Sequence, residues 1–304
     1  MENWNKIADQ KNLTEGPTWI EGSGLLYSEC SASLTWLWDY KKKTNEVWRR
    51  NTGGSNGMIL DVEGKLYACE GEARRVVSYE EGLETELISD SFEGMAFNEP
   101  NDLAVHPNKK VIWFSDPNYG GRKLSISHES VYLLIKEPQK WSVQRVTFNT
   151  DRPNGVLLSK DLKKLYVANS PHDFENESIR RELRSYGIKP DFTLGDYEVM
   201  HDFGPARGVD GMTLDSKGNI VATAGFKKGG PGPMIYYFEP DGRVVKTFEA
   251  PEDSPTNCTF GGDNLDILYV TFATGAVYEL INSGLYGLKA VSYTHLTLPT
   301  TEAV

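Results

Sequence analysis

The sequence contains only three cysteines and five histidines in 304 residues. The cysteines lie far apart and form no CxxC or Cys/His cluster, so we expect neither a disulfide framework nor a thiolate-bound metal. The scattered histidines likewise disfavour a zinc site built on imidazole rings. A metal site in this protein would therefore have to be built from oxygen donors.

Long apolar runs and basic clusters are also missing. No segment approaches the roughly 20 apolar residues that cross a bilayer. Residues 1–13 are polar and lack the apolar core of a signal peptide. We therefore expect a cytoplasmic protein without a membrane partner. A net charge of −11 with no basic stripe disfavours nucleic acid as a partner.

A recurring motif organises the chain. A carboxylate or amide residue, in most copies followed by glycine, precedes a short apolar run with the character of a buried strand. The copies begin at Glu15, Asn56, Asn101, Asn154, Asp210 and Asn257. Six such side chains at the ends of six strands suggest one ring of oxygen ligands.

The spacing of the motif predicts the fold. The copies recur about every 40 to 56 residues, and each unit contains about four short strands, which is typical of a β-propeller. One unit cannot bury both faces of its sheet, whereas neighbouring blades can. We therefore predict an all-β, six-bladed β-propeller over residues 1–290, and a monomer or weak homo-oligomer.

The two ends of the chain depart from the repeat. The sixth unit is short of an outer strand, and we predict that the segment around residues 4–7 supplies it and closes the ring. Residues 291–304 repeat nothing and differ in composition from the preceding sequence. We expect this tail to be non-native or disordered and to carry no function.

Three insertions distinguish the blades from one another. Residues 118–130, 170–181 and 225–233 are polar or glycine-rich, and we predict that they form long loops. Long loops on one rim of such a fold commonly shape a binding pocket. Exposed surface without a function is the alternative.

Several motifs together resemble the family of senescence marker protein, gluconolactonase and luciferin-regenerating enzyme. They follow the family order from about residue 7 to residue 280. The matching segments are EGPTW at 15–19, NEPNDL at 98–103, FSDPNYG at 114–120, RPNG at 152–155, LYVAN at 165–169, DGM at 210–212 and NCTFGG at 257–262. Residues 68–76 also resemble a gluconolactonase-type segment, with Gly71 where that segment has histidine.

The resemblance implies a propeller with one divalent metal at the top of its central channel. Glu15, Asn154 and Asp210 match the family's metal ligands, and Asn101 matches a residue that contacts metal or substrate. The implied metal is usually calcium, with zinc, manganese and magnesium as alternatives. Calcium prefers hard oxygen ligands in flexible geometry, which carboxylate and amide groups provide.

The implied activity is metal-dependent hydrolysis of a sugar lactone. The metal would polarise the lactone carbonyl while water attacks it. Asp210 would be both ligand and general base; because a carboxylate beside a cation is a weak base, water with a lowered pKa is the rival account. Arg152 and Asn101 are expected to bind substrate, and Asp102 to bind substrate or brace its turn.

Two alternatives remain open at this point. The same fold could hydrolyse another lactone or an organophosphate ester. It could also be a non-catalytic propeller, in which a structural metal ties the blades together and the rim binds a ligand or a protein.

Overall fold

The computed structural model describes residues 3–79 and 85–289. The predicted tail, 291–304, lies outside these residues. In chain order the strands are β1 (Asn3–Asp9), β2 (Thr14–Ile20), β3 (Gly24–Glu29), β4 (Leu34–Asp39), β5 (Thr44–Arg50), β6 (Ser55–Leu60), β7 (Leu66–Glu70), β8 (Arg75–Tyr79), β9 (Thr85–Ser89), β10 (Ser91–Phe92), β11 (Met95–Ala96), β12 (Leu103–Val105), β13 (Val111–Asp116), β14 (Ser130–Lys136), β15 (Trp141–Arg145), β16 (Pro153–Leu158), β17 (Lys164–Asn169), β18 (Glu182–Ile188), β19 (Leu194–Asp202), β20 (Val209–Leu214), β21 (Ile220–Phe226), β22 (Gly229–Phe238), β23 (Val244–Glu249), β24 (Pro255–Gly261), β25 (Ile267–Phe272) and β26 (Ala276–Ile281).

Within the described ranges, these strands form six four-stranded antiparallel sheets and the small hairpin β10–β11. The sheets are β2–β5, β6–β9, β12–β15, β16–β19, β20–β23, and β24–β26 with β1. A single 3-10 turn, Cys30–Ala32, is the helical element of the described chain. No described helix has the length and apolar character to cross a membrane.

The inner strand of each sheet faces the centre of a ring. These strands are β2, β6, β12, β16, β20 and β24, and each contacts the inner strands of both neighbouring sheets. The ring of six blades confirms the β-propeller predicted from the repeats. Strand β1 is the outer strand of the sixth blade, because it pairs with β26.

Each blade buries both faces of its sheet, as β13 illustrates. Successive side chains of a strand point to opposite faces. Trp113 packs among residues of the third and fourth blades, whereas the adjacent Phe114 packs among residues of the second and third. Both are fully buried. An unbroken apolar run is therefore what a propeller strand requires.

One predicted loop is wrong. Residues 225–233 lie largely in the hairpin of β21 and β22 and do not form a long loop. Gly225 has φ of 81°, and a Cβ there would lie 2.0 Å from the carbonyl oxygen of Gly232. The glycines thus allow two strands to approach closely. The other two insertions do connect strands, β13 to β14 and β17 to β18.

Candidate functional site

Bulges turn the motif residues out of the sheet ladder. The register between β2 and β3 is irregular between Glu15 and Thr18, and that between β16 and β17 is irregular between Pro153 and Val156. The inner strands β6, β20 and β24 have the same irregularity at their own motifs. A bulge re-aims a side chain and often adjoins an active site.

The motif glycines make room for the next blade. A Cβ on Gly155 would lie 2.3 Å from the backbone oxygen of Asp210, and one on Gly211 would lie 2.0 Å from Cγ of Asn257. Both distances are far inside van der Waals contact. Where a glycine follows the polar residue, it therefore allows the polar residue of the following blade to pack against it around the channel.

The predicted acidic ligands come from opposite parts of the chain and interact. Glu15 in β2 is buried, at 4% exposure, and its Oε2 accepts hydrogen bonds from the backbone N–H of Gly16 (2.9 Å) and from Nδ2 of Asn257 (3.2 Å). Burial raises the pKa of Glu15 well above its usual range, and the charge of Asp210 raises it further. The two carboxylates are therefore close enough to repel each other.

Asp210 lies in β20 among polar groups. Burial raises its pKa, while the Arg207 guanidinium and then the Asn154 amide oppose that rise. Asn154 itself is buried in β16. The structure thus brings together all three predicted metal ligands, Glu15, Asn154 and Asp210.

Arg207 is a site residue that the sequence reasoning missed. Its Nη2 donates a hydrogen bond to Oδ2 of Asp210, and its Nη1 donates to the carbonyls of Gly225 (3.1 Å) and Pro255 (2.9 Å). These contacts join the fifth and sixth blades. The sequence offered one signal, the position of Arg207 three residues before Asp210. The turn that brings the two side chains together could not be predicted from the sequence.

Asn101 and Asp102 immediately precede β12, the inner strand of the third blade. Asn101 is buried, and its carbonyl accepts the N–H of Gly57 (2.8 Å). Asp102 accepts the N–H groups of Leu103 (2.9 Å) and, across to the fourth blade, Val156 (3.3 Å). Both Asp102 oxygens therefore brace the backbone. Burial raises the pKa of Asp102 to about 7.

Arg152 lies at the rim beside Tyr119. Its Nε is 3.8 Å from Oε2 of Glu129, and its Cζ is 5.9 Å from the centroid of the Tyr119 ring. The Tyr119 hydroxyl is buried. Burial raises the pKa of Tyr119, and the charge of Asp210 raises it further. Tyr119, a residue the sequence reasoning did not single out, thus lies next to the predicted ligands.

The donor set suits a hard divalent cation. Among residues 3–79 and 85–289, no group of three or more His, Cys, Asp or Glu side chains has the arrangement of a metal cluster. The predicted set has two acidic ligands, Glu15 and Asp210. The third ligand is the Asn154 amide. Buried oxygen donors that repel one another fit the chemistry of calcium better than that of zinc.

A serine nucleophile is not supported. Residues 53–57 read GGSNG, which matches the spacing of a serine-hydrolase elbow. However, Ser55 is fully buried in β6, where it pairs with Glu70 and accepts a hydrogen bond from the Ser28 hydroxyl (3.2 Å). An elbow requires an exposed serine between a strand and a helix, which this segment lacks.

Gly71, which replaces the family histidine, lies against the segment that leads to Asn101. A Cβ at Gly71 would be 3.1 Å from Cγ of Glu99. Arg122 donates from Nη2 to the Gly71 carbonyl (2.9 Å) and lies 3.8 Å from Glu99. Gly71 therefore lies within the contacts that position Glu99, two residues before Asn101.

The chain is similar in sequence and in fold to known proteins. A gluconolactonase from Zymomonas mobilis is 29% identical over 84% of this chain and 75% of the relative. A pentonolactonase from Haloferax volcanii is 38% identical over 86% of this chain and 82% of the relative. The structure of a calcium-binding protein, regucalcin, from Agrobacterium tumefaciens superimposes with a TM-score of 0.74 at 17% identity, covering 95% and 96% of the two chains.

The family assignment rests on most of the chain. The family model described as the SMP-30/gluconolactonase/LRE-like region matches residues 13–274 of this chain. These residues span all six inner strands. This chain belongs to the SMP-30/gluconolactonase/LRE-like family.

Proposed function

We propose that the protein is a lactonase that opens a sugar lactone at the centre of the ring, with a divalent metal held by Glu15, Asn154 and Asp210. The observation that carries the proposal is the packing of the motif residues around the ring. Asn257 donates to Glu15 (3.2 Å) and packs against Gly211, next to Asp210. Gly155, next to Asn154, packs against the backbone oxygen of Asp210. The names of the gluconolactonase and pentonolactonase relatives supply the substrate class.

Calcium is the metal that we propose, because calcium prefers oxygen donors. A solved structure of the same fold is also that of a calcium-binding protein. A divalent cation bound there would polarise the lactone carbonyl and stabilise the oxyanion formed on attack. Glu15 is already oriented by Gly16 and Asn257. Asp210 is oriented by Arg207.

Asp210 is the proposed general base. Arg207 donates to Oδ2 of Asp210, and the carboxylate held in this way would accept a proton from the attacking water. The charge of Arg207 opposes the rise in the Asp210 pKa and favours the ionised form that a base requires. Asn101 and Arg152 are proposed to bind the lactone, and Asp102 to brace them and contact substrate.

A panel of sugar lactones tests the proposal, with and without a chelator and with each divalent metal restored. Glu15→Gln, Asn154→Ala and Asp210→Asn should each lower kcat/KM at least 100-fold, in line with the loss of a metal ligand or base. Glu29→Gln is the matched control, because Glu29 is also 4% exposed in the same blade but bonds Asn12 and Trp36.

Two outcomes would contradict the proposal. Full activity in all three variants would show that the site is wrong. A wild-type protein that hydrolyses no sugar lactone with any of the metals would show that the function is wrong, and would leave the binding-module alternative.

A further inference from the structure

A row of four aromatic side chains runs along the rim next to the site. Tyr119 comes from the segment between β13 and β14, His172 and Phe174 from the segment between β17 and β18, and Phe226 from the end of β21. Their ring centroids are 5.8 Å apart for Tyr119–His172, 4.8 Å for His172–Phe174 and 5.1 Å for Phe174–Phe226. Three blades thus build one continuous aromatic surface.

The row begins at the proposed ligands. The charge of Asp210 acts on Tyr119, and so does that of Arg207. Burial lowers the pKa of His172, and the charges of Arg152 and Arg207 lower it further, so His172 lies within the same electrostatic environment. The Arg152 guanidinium carbon is 5.9 Å from the centroid of the Tyr119 ring, and Arg152 lies two residues before Asn154, so the row starts beside the proposed ligands.

Two arginines support the row from behind. The Arg181 guanidinium carbon lies 4.1 Å from the centroid of Phe174, and Arg152 lies over Tyr119. Arg181 is 1% exposed and donates from Nη1 to the carbonyl of Pro205 (2.7 Å), so it is an immobile support. His172 itself is exposed, and Phe174 and Phe226 are half-buried. Part of the surface of these three rings is therefore accessible to a ligand.

We propose that Tyr119, His172, Phe174 and Phe226 form a specificity-determining wall that packs against the C–H face of a sugar lactone ring. Small-molecule sites are mostly lined by apolar and aromatic side chains, with a few polar groups that orient the ligand. Here Asn101 and Arg152 are the polar groups, and the wall is the aromatic part. The occupant that suits such a wall is the closed-ring form of an aldonolactone.

This inference rests on the proposed function, and its test separates the two. His172→Ala and Phe226→Ala should raise KM for the sugar lactone roughly three- to tenfold, the worth of one aromatic contact, with kcat within about twofold. His172→Phe should restore KM, because it keeps a ring but loses the imidazole. Calorimetric binding of the corresponding aldonolactam, a ring-form analogue whose amide resists hydrolysis, to the metal-loaded protein should weaken by a similar factor in the alanine variants.

The matched control is His201→Ala. His201 also makes an edge-to-face contact with a phenylalanine, Phe203, at 4.6 Å, but it lies on the outer strand β19 of the same blade as His172. It should leave KM and aldonolactam binding unchanged. Melting temperatures would be compared for all variants, and the exposed His172 decides the matter if Phe226→Ala does not fold.

If the wild type hydrolyses the lactone, unchanged KM and aldonolactam binding in His172→Ala would overturn the wall and leave the function intact. A large loss of kcat in His172→Phe would also overturn it, since that result would make the imidazole a participant in the reaction. A wild type without lactone hydrolysis would overturn the proposed function and the wall together.

Discussion

Arg207 donates a hydrogen bond to Asp210, three residues later in the chain. The same guanidinium is fixed by the carbonyls of Gly225 and Pro255, at the ends of the fifth and sixth blades. An arginine held at three points cannot rotate independently of the ring. It therefore holds the Asp210 carboxylate through Oδ2.

Replacing Arg207 is expected to affect catalysis more than folding. Arg207→Met should lower kcat at least tenfold, because Asp210 loses its orienting partner and the charge that favours its ionised form. Arg207→Lys should recover part of the loss, since an ammonium keeps the charge but cannot reproduce the fork of bonds. Steady-state kinetics with the metal-loaded protein measures both.

Arg243→Met is the control for Arg207, because Arg243 forms an exposed ion pair with Glu239 away from the channel. Wild-type kcat in both Arg207 variants would contradict the orienting role.

Adding a methyl group to a motif glycine should distort the ring. Gly155→Ala and Gly211→Ala each place a Cβ within 2.3 Å of the next blade, and we expect each to lose about 1–3 kcal/mol of stability. Gly187→Ala is the matched control, because a Cβ there meets nothing within 4 Å. The free energy of unfolding of each of the three variants would be measured with a denaturant. Equal stability of all three would refute the packing explanation.

Asp116 should make stability fall as pH rises from about 4 to 7. It is fully buried and accepts the N–H groups of Asn98 (2.9 Å) and Glu99 (2.7 Å), yet burial raises its pKa to about 7. The pKa of an aspartate in the unfolded chain is about 4, so between about pH 4 and pH 7 the folded state binds one more proton than the unfolded state. The free energy of unfolding therefore decreases as the pH rises through this range, by up to about 4 kcal/mol.

Comparison with Asp116→Asn isolates this dependence. Unfolding free energies of both proteins would be measured from pH 4 to pH 8. The stability of the wild type relative to the variant should decline up to about pH 7 and then level off. A difference that stays constant over that range would rule out the titration of Asp116.

Strand β1 should stabilise the sixth blade. It pairs with β26 at six positions, Trp4 donates from Nε1 to the Glu249 carbonyl (3.1 Å), and Lys6 pairs with Glu252 (3.0 Å). Deleting residues 1–9 should cost roughly 2–4 kcal/mol at the usual worth of cross-strand pairs.

Deleting residues 291–304 should change neither melting temperature nor activity. The reverse pattern would contradict both expectations.

The fold could be predicted because its cause is local and repeated. Each unit carries a polar residue followed by an apolar strand, and β13 shows why: neighbouring blades bury both Trp113 and Phe114. The hairpin at 225–233 was misjudged because glycines that permit close strand contact, such as Gly225, have the same composition as glycines in a flexible loop.

The chain alone determines the six-fold repeat and the types of donor atom at Glu15, Asn154 and Asp210, because strand periodicity and side-chain chemistry are local properties. Tertiary structure decides which partners meet. Asn257 reaches Glu15 because the last inner strand lies beside the first, and Arg207 reaches Asp210 through a turn held by two other segments. Those contacts join residues up to 242 positions apart, and ring closure brings them together.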